Sequence, residues 1–237
     1  MDAVLEAAAR DAGALAEGGA AAVVVENFGS APFPKAGSAP ATVAMMAVAA
    51  ARVREVCGLP VGVNVLRNDA LAALGVAVAT GAAFLRVNVL VGASVTDQGL
   101  IEGDARALLL ERRRLGALHV AILADVRVKH AAPLAPQPLA QEIHDARARG
   151  GADGILVTGD GTGRPVDAEA LDEARAAVGE APLYVASGLT AKNAPRLTPR
   201  VDGAIVGTWL KEDGRVDAPV DPKRVARLAA LCDFRRG

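Results

Sequence analysis

Short runs of β-branched and other apolar residues alternate along this chain with longer, alanine-rich stretches whose apolar positions recur at helical spacing. The strand-like runs are 22–26, 61–65, 84–88, 120–126, 154–157, 183–186 and 203–206. The first helical stretch keeps Val4, Ala8, Ala12 and Leu15 on one face; others cover 42–57, 69–80, 104–115, 138–149, 167–178 and 221–235, with a short one near 191–197. Glycines stand where these stretches stop, at Gly18-Gly19, Gly81, Gly116 and Gly150-Gly151. Such alternation, with no linker to divide it, predicts one α/β domain over 1–237: a parallel sheet clad by helices. An open doubly wound sheet would gather its polar residues at one switch point. Here polar residues end several successive strands, which favours a (β/α)8 barrel. Only seven strand segments are legible and the chain opens on a helix, so the expectation is a barrel lacking its first strand.

The polar residues at strand ends are the second pattern. "VVVENF", "VGVNVLRNDA", "FLRVNV" and "LADVRVKH" each run from apolar into polar, giving Glu26, Asn27, Asn64, Arg67, Arg86, Asn88, Asp125 and Lys129. Side chains alternate along a strand, so Arg86 and Asn88 face the same way, as would Asp125 and Lys129 if that strand continued so far; His130 would then face the other way. Burying such groups is costly unless they pair or meet a ligand. Two readings compete. In one, Glu26 and Asp125 balance Arg86 and Lys129 in an ion-pair plug of the barrel mouth. In the other they line a substrate pocket at the C-terminal face, with Asn64, Arg67, Arg86 and Asn88 contacting the ligand. A lysine there can act as a nucleophile or base when its pKa falls, or can hold an anion as a fixed charge.

Glycine marks further sites. "VASGLT" puts Ser187-Gly188, and "AIVGTWL" puts Gly207-Thr208, after the strands that would be seventh and eighth in a barrel. Loops there bind phosphate through backbone N–H groups. "VTGDGTGRP" adds Gly159, Gly161 and Gly163 one strand earlier, as a second anion loop or a lid. "VGASVTDQGLIEGDA" is long for a loop between strand and helix. Asp97 and Glu102 are its acidic members, with Asp97 placed to reach over the pocket, while Asp104 caps the next helix.

Composition narrows the classes. Of 237 residues, 52% are hydrophobic and only 3% aromatic, so Val, Ala, Leu and Ile must build the core. Lys and Arg number 26 against 27 Asp and Glu, which leaves no global field for nucleic acid. No apolar run of about 18 residues suggests a membrane span. The two cysteines, Cys57 and Cys232, lie far apart without metal spacing, and with three histidines a His-rich metal site is not expected. They read as inert thiols of a reducing cytoplasm. No P-loop, GxSxG, HExxH or dinucleotide fingerprint appears, so neither cofactor nor metal is implied. The expected partner is a phosphorylated small molecule, with a homo-oligomer as the working assembly.

Taken in order, "VVVENFGSAPF", "VGVNVLRNDA", "FLRVNVLVGASVTDQGLIEG", "LADVRVKHAAPL", "VTGDGTG" and "VDGAIVGTWLKEDG" resemble the BtpA/SgcQ family over nearly the whole chain. The resemblance implies a TIM barrel of the ribulose-phosphate-binding type. It also implies either a role in photosystem I biogenesis, with peripheral membrane association, or work in sugar metabolism. Two departures stand out: the family's opening "HLxPLPGSP"-like strand is not present ahead of Met1, and Arg127 stands where the family has histidine in "DVHVKH". The functional expectation is an enzyme acting on a phosphorylated sugar or sugar-like metabolite, as isomerase, epimerase or aldol-type lyase. Glu26 or Asp125 would be the base, and Lys129 would stabilise an enolate or form an imine. A ribosyl hydrolase and a non-catalytic assembly factor are the alternatives.

Overall fold

The computed structural model describes residues 2–35, 37–159 and 166–235. Seven parallel strands form one curled sheet: β1 (Val23–Glu26), β2 (Val61–Asn64), β3 (Phe84–Val87), β6 (Ala121–Val126), β8 (Gly154–Val157), β9 (Leu183–Val185) and β10 (Gly203–Ala204), hydrogen-bonded in that order. Helices α1 (Asp2–Glu17), α2 (Pro40–Cys57), α3 (Ala70–Thr80), α4 (Ala105–Arg114), α5 (Leu139–His144), α6 (Ala168–Val178), α7 (Ala194–Leu197) and α8 (Pro222–Ala229) separate or flank them. Every predicted strand and helix has a counterpart, but the expected helix 221–235 stops at Ala229 and the expected strand 203–206 pairs only over Gly203–Ala204. The expected helix 138–149 finishes as a π-helical turn over 145–149. Asp69 and Asp104 cap α3 and α4, accepting from the N–H groups of Ala72 and Ala107 at 3.1 and 2.9 Å.

The sheet has two apolar faces with different fillings. Its outer face meets the helices in one large core dominated by Val, Leu, Ile and Ala. Its inner face is a smaller cluster of Leu123, Leu156 and Ala186, with Phe84, Tyr184 and Ile205 against them. The rings of Phe84 and Tyr184 fit because glycine sits beside them on the neighbouring strands. A Cβ on Gly62 would fall 2.1 Å from the Phe84 ring, and one on Gly203 2.8 Å from the Tyr184 ring. Thus the scarce aromatics fill the barrel floor, and glycines at paired positions make room for them.

The segment 91–104 departs from the expected loop. β4 (Ala93–Thr96) and β5 (Gly99–Glu102) form a hairpin turned by Asp97-Gln98, with Gly99 at φ 96° supplying a positive φ. β7 (Ala131–Pro133) adds to β4 on its other side, making a three-stranded antiparallel sheet beside the barrel mouth. Gly92, Ser94, Thr96, Asp97, Gln98 and Gly99 interrupt its apolar positions, so no strand-like run announces it.

The glycine–aromatic fit gives a direct test. Gly62→Val should lower unfolding free energy by about 1–3 kcal/mol, the usual cost of overpacking. Phe84→Ala should cancel much of that loss, so that urea titration of the two single variants and the double variant gives a non-additive cycle. Additive losses would mean that the two residues do not share this space.

Candidate active site

Side chains at the ends of β1, β2, β3 and β6 point into the curl and meet. Arg86, only 3% exposed, donates from Nε and Nη2 to Asp125 Oδ2 and Oδ1 at 3.1 and 3.2 Å, and from Nη1 to Glu26 Oε1 at 3.1 Å. Asn64 donates to the same Glu26 oxygen at 3.0 Å, and Asn88 Nδ2 donates to Asp125 Oδ2. Burial by itself disfavours the Arg86 charge, but the Asp125 and Glu26 carboxylates more than reverse this and raise its pKa. Asp125 is 0% exposed with both oxygens engaged, so it anchors Arg86. Glu26 is 23% exposed, and among the described residues its Oε2 accepts nothing.

Above this network lies a cavity of about 430 Å³ lined by Glu26, Asn64, Arg67, Arg86, Asn88, Asp97 and Lys129. The expected pocket set is therefore brought together, with Asp125 just beneath it. The route to Lys129 differs from the expectation. β6 ends at Val126, and the chain turns through Arg127 and His130, at φ 51° and 56°. Lys129 reaches the pocket from a turn and not by strand alternation. His130, expected on the opposite face, lines the same cavity. That turn is latched from both sides: Arg67 Nη2 donates to the Lys129 carbonyl at 2.8 Å, and Thr158 Oγ1 to the Arg127 carbonyl at 2.7 Å.

Lys129 has no hydrogen bond or ion pair from its Nζ among the described residues. Burial, then the nearby Arg86 charge, pushes its pKa below the ordinary value; Glu26 and Asp125 oppose this only in part. The Arg67 pKa is also lowered, chiefly by burial, with Asp125 and Asp97 opposing. The competing sequence readings are thus divided between residues: Glu26, Arg86 and Asp125 form the ion-pair cluster, and Lys129 stands outside it facing the cavity.

Some polar residues have a different task. Asn27 accepts from Leu66 N–H at 2.7 Å and donates back to its carbonyl at 3.4 Å. Asn68 does the same to Val89, at 2.8 and 2.9 Å. Each amide stitches the exit of one strand to the next where the ladder has ended. The sequence did not single out Phe28, Phe33 or Leu66, which also line the pocket; two apolar residues within a Gly/Pro-rich loop carried no periodic signal. A second cavity of about 500 Å³ lies between the small antiparallel sheet and α5, and shares Asn88 with the first.

The glycine sites lie apart from the 430 Å³ cavity. Gly159 N–H donates to Ser187 Oγ at 3.0 Å, and Gly188, at φ 68°, accepts from Asn193 Nδ2 at 2.9 Å. Gly207 has φ −120°; the space around it is open, and Thr208 begins a short 3-10 turn. Gly161 and Gly163 lie outside the described residues. Among the described residues no cluster of His, Cys, Asp and Glu is arranged to hold a metal, and no helix is long and apolar enough to cross a membrane.

A profile of the BtpA family matches residues 1–233. The chain belongs to the BtpA family. A relative from Synechocystis, named photosystem I biogenesis protein BtpA, is 46% identical over 95% of this chain and 78% of its own. An uncharacterized protein of Thermococcus kodakarensis is 47% identical over 98% of this chain and 87% of its own. Among solved structures, the N-(5'-phosphoribosyl)anthranilate isomerase of Pyrococcus furiosus superposes with a TM-score of 0.61 at 16% identity, covering 93% of this chain and 92% of that one. Tryptophan synthase of M. tuberculosis gives 0.63 at 16% identity, over 97% and 88%. These likenesses place the BtpA-family chain among TIM barrels.

Removing Arg86 should expose how much the site depends on it. Arg86→Leu leaves Asp125 buried without its cation and is expected to cost about 3–5 kcal/mol, read from denaturant unfolding. A loss within 0.5 kcal/mol, the scale of an ordinary surface change, would contradict the buried network.

Proposed function

We propose that this protein is an enzyme acting on a phosphorylated sugar or sugar-like metabolite, as an isomerase, epimerase or aldol-type lyase. The observation that carries it is Lys129: an amine of lowered pKa with no partner among the described residues, facing a cavity beside a carboxylate with one oxygen that accepts nothing among them. A neutral amine can attack a substrate carbonyl and, with loss of water, give an imine. Glu26 Oε2 then takes the proton from the adjacent carbon for isomerisation or epimerisation, or from a hydroxyl for carbon–carbon cleavage. Arg86, held by Asp125, keeps Glu26 in place and contributes positive charge where an enolate develops. The volume suits a small metabolite, since ligand pockets run to roughly 300–1,000 Å³. Asp97, at the tip of the β4–β5 hairpin, closes one side.

For the phosphate we propose the loops at Gly159, Gly188 and Gly207-Thr208, with Gly161 as a further contributor. The open space at Gly207 supports an approach of anion to backbone there. A homo-oligomer is part of the proposal, supported by exposed Val4, Val48 and Val56 on the packed pair α1 and α2. A second reading, a non-catalytic assembly factor with peripheral membrane association, is favoured by the name of the Synechocystis relative, a photosystem I biogenesis protein. Complementation of a cyanobacterial deletion by Lys129→Met would favour that reading.

The test is reductive trapping. Borohydride with a panel of sugar phosphates should leave an adduct on Lys129, identified by mass spectrometry. Unphosphorylated sugars should label it far less, and Gly207→Val should erase that preference. Once a substrate is found, Glu26→Gln should lower turnover by about 10²–10⁴-fold. No adduct at Lys129 across the panel would remove the imine mechanism.

A further inference from the structure

Phe28 and Phe33 are the outliers of this aromatic-poor chain, which has four Phe, one Trp and one Tyr. The other four have visible structural tasks. Phe84 and Tyr184 fill the barrel floor, Phe234 packs on the outer core, and Trp209 lies against that core beneath the Arg224 guanidinium, 4.6 Å from its carbon. Phe28 and Phe33 belong to no core cluster. They sit on the loop leaving β1, one of them two residues beyond Glu26, and both line the 430 Å³ cavity. Phe28 is 41% exposed, an unfavourable place for a ring unless something covers it. Phe33 stands beside it with ring centroids 6.4 Å apart and planes tilted by 57°, an arrangement in which the two rings are not stacked face to face.

The cavity is therefore two-sided. Phe28, Phe33 and Leu66 are its apolar lining; the rest is His130 and residues that are charged or amide-bearing. Asn88, 3% exposed, adds a directional feature on the polar side. Its Nδ2 is committed to Asp125, which fixes its amide orientation, and its Oδ1 has no partner among the described residues. A buried carbonyl oxygen in that state calls for a donor from a ligand, such as a hydroxyl.

We propose that the ligand of this pocket carries a flat unsaturated ring that lies on Phe28, joined to a hydroxyl-bearing pentose that meets Asn88 and Lys129 and bears the phosphate assigned above to the glycine loops. The substrate class is thus a ring-bearing pentose phosphate, of nucleotide-like chemistry, and not a bare sugar phosphate. This rests on the reading of the cavity as the substrate site. Stacking on an exposed aromatic tolerates many rings, because every planar base offers a π-face.

Titration calorimetry with four probes tests it: adenosine 5'-monophosphate, uridine 5'-monophosphate, ribose 5-phosphate and adenosine. With the wild-type chain both nucleotides should bind at least about tenfold more tightly than ribose 5-phosphate, the scale of one base–aromatic stack. Phe28→Ala and Phe28→Leu should erase that advantage while leaving ribose 5-phosphate unchanged, and Phe28→Trp should keep it. Ribose 5-phosphate binding as well as the nucleotides, or a nucleotide advantage that survives in the Phe28→Ala/Phe33→Ala double variant, overturns the ring proposal and leaves the sugar-phosphate reading standing. Adenosine binding as tightly as its monophosphate, with the same dependence on Phe28, supports the ring and removes the phosphate. Binding of none of the four overturns both.

Discussion

The buried pair Arg86–Asp125 is the interaction on which the mouth of this barrel depends. A guanidinium 3% exposed and a carboxylate 0% exposed cannot tolerate each other's loss. Their two-point contact fixes Arg86 in the plane of the Asp125 carboxylate, and the third donor nitrogen then reaches Glu26. From this follows a division of labour among groups that look alike in sequence. Asp125 is fully engaged, Glu26 keeps one oxygen for other use, and the positive charge of Arg86 helps to hold the Lys129 amine toward its neutral form. The cluster joins the ends of β1, β3 and β6, with Asn64 of the intervening β2 donating to the same Glu26 oxygen as Arg86.

A second constraint is geometric. Parallel strands end in loops, and the ladder leaves backbone groups unpaired at each exit. Asn27 and Asn68 satisfy such groups on Leu66 and Val89, while Arg67 and Thr158 latch the turn that carries Lys129. The pocket walls are thus held by side-chain to backbone bonds and not by further sheet. The β4–β5 hairpin, braced by β7, is the one substantial addition to the plain alternation of strand and helix.

Most of the architecture is legible in the sequence because its signals are periodic. Alanine-rich helical stretches and β-branched runs differ in period, and glycine or aspartate marks their ends. The polar set was also legible, since Glu26, Asn64, Arg86, Asn88 and Asp125 interrupt runs otherwise wholly apolar. What could not be read was anything set by the path of a loop. Lys129 and His130 enter the same cavity because Arg127 and His130 adopt positive φ, which no residue pattern announces. Phe28 and Phe33 gave no signal because a loop has no repeat to violate. The hairpin at 93–102 reads as loop in sequence because Gly92, Ser94, Thr96, Asp97, Gln98 and Gly99 break up its apolar positions. Asp125 and Glu26 were equivalent as carboxylates in sequence; only their partners tell them apart.

The central claim is that the Lys129 amine is kept out of the ion-pair cluster and easily neutralised. NMR titration of Lys129, assigned by comparison with Lys129→Met in a lysine-labelled sample, measures this directly. The account expects a midpoint below the ordinary 10.5, because burial and then Arg86 disfavour its charge. The midpoint should fall further in Glu26→Gln, since that carboxylate favours the charged form. The sign carries over to stability. With its folded pKa below its unfolded one, protonated Lys129 opposes folding, and the deficit is recovered as pH rises from the folded value toward 10.5. A midpoint at or above 10.5, unmoved by Glu26→Gln, would contradict the account, for it would make Lys129 an ordinary solvated or paired cation.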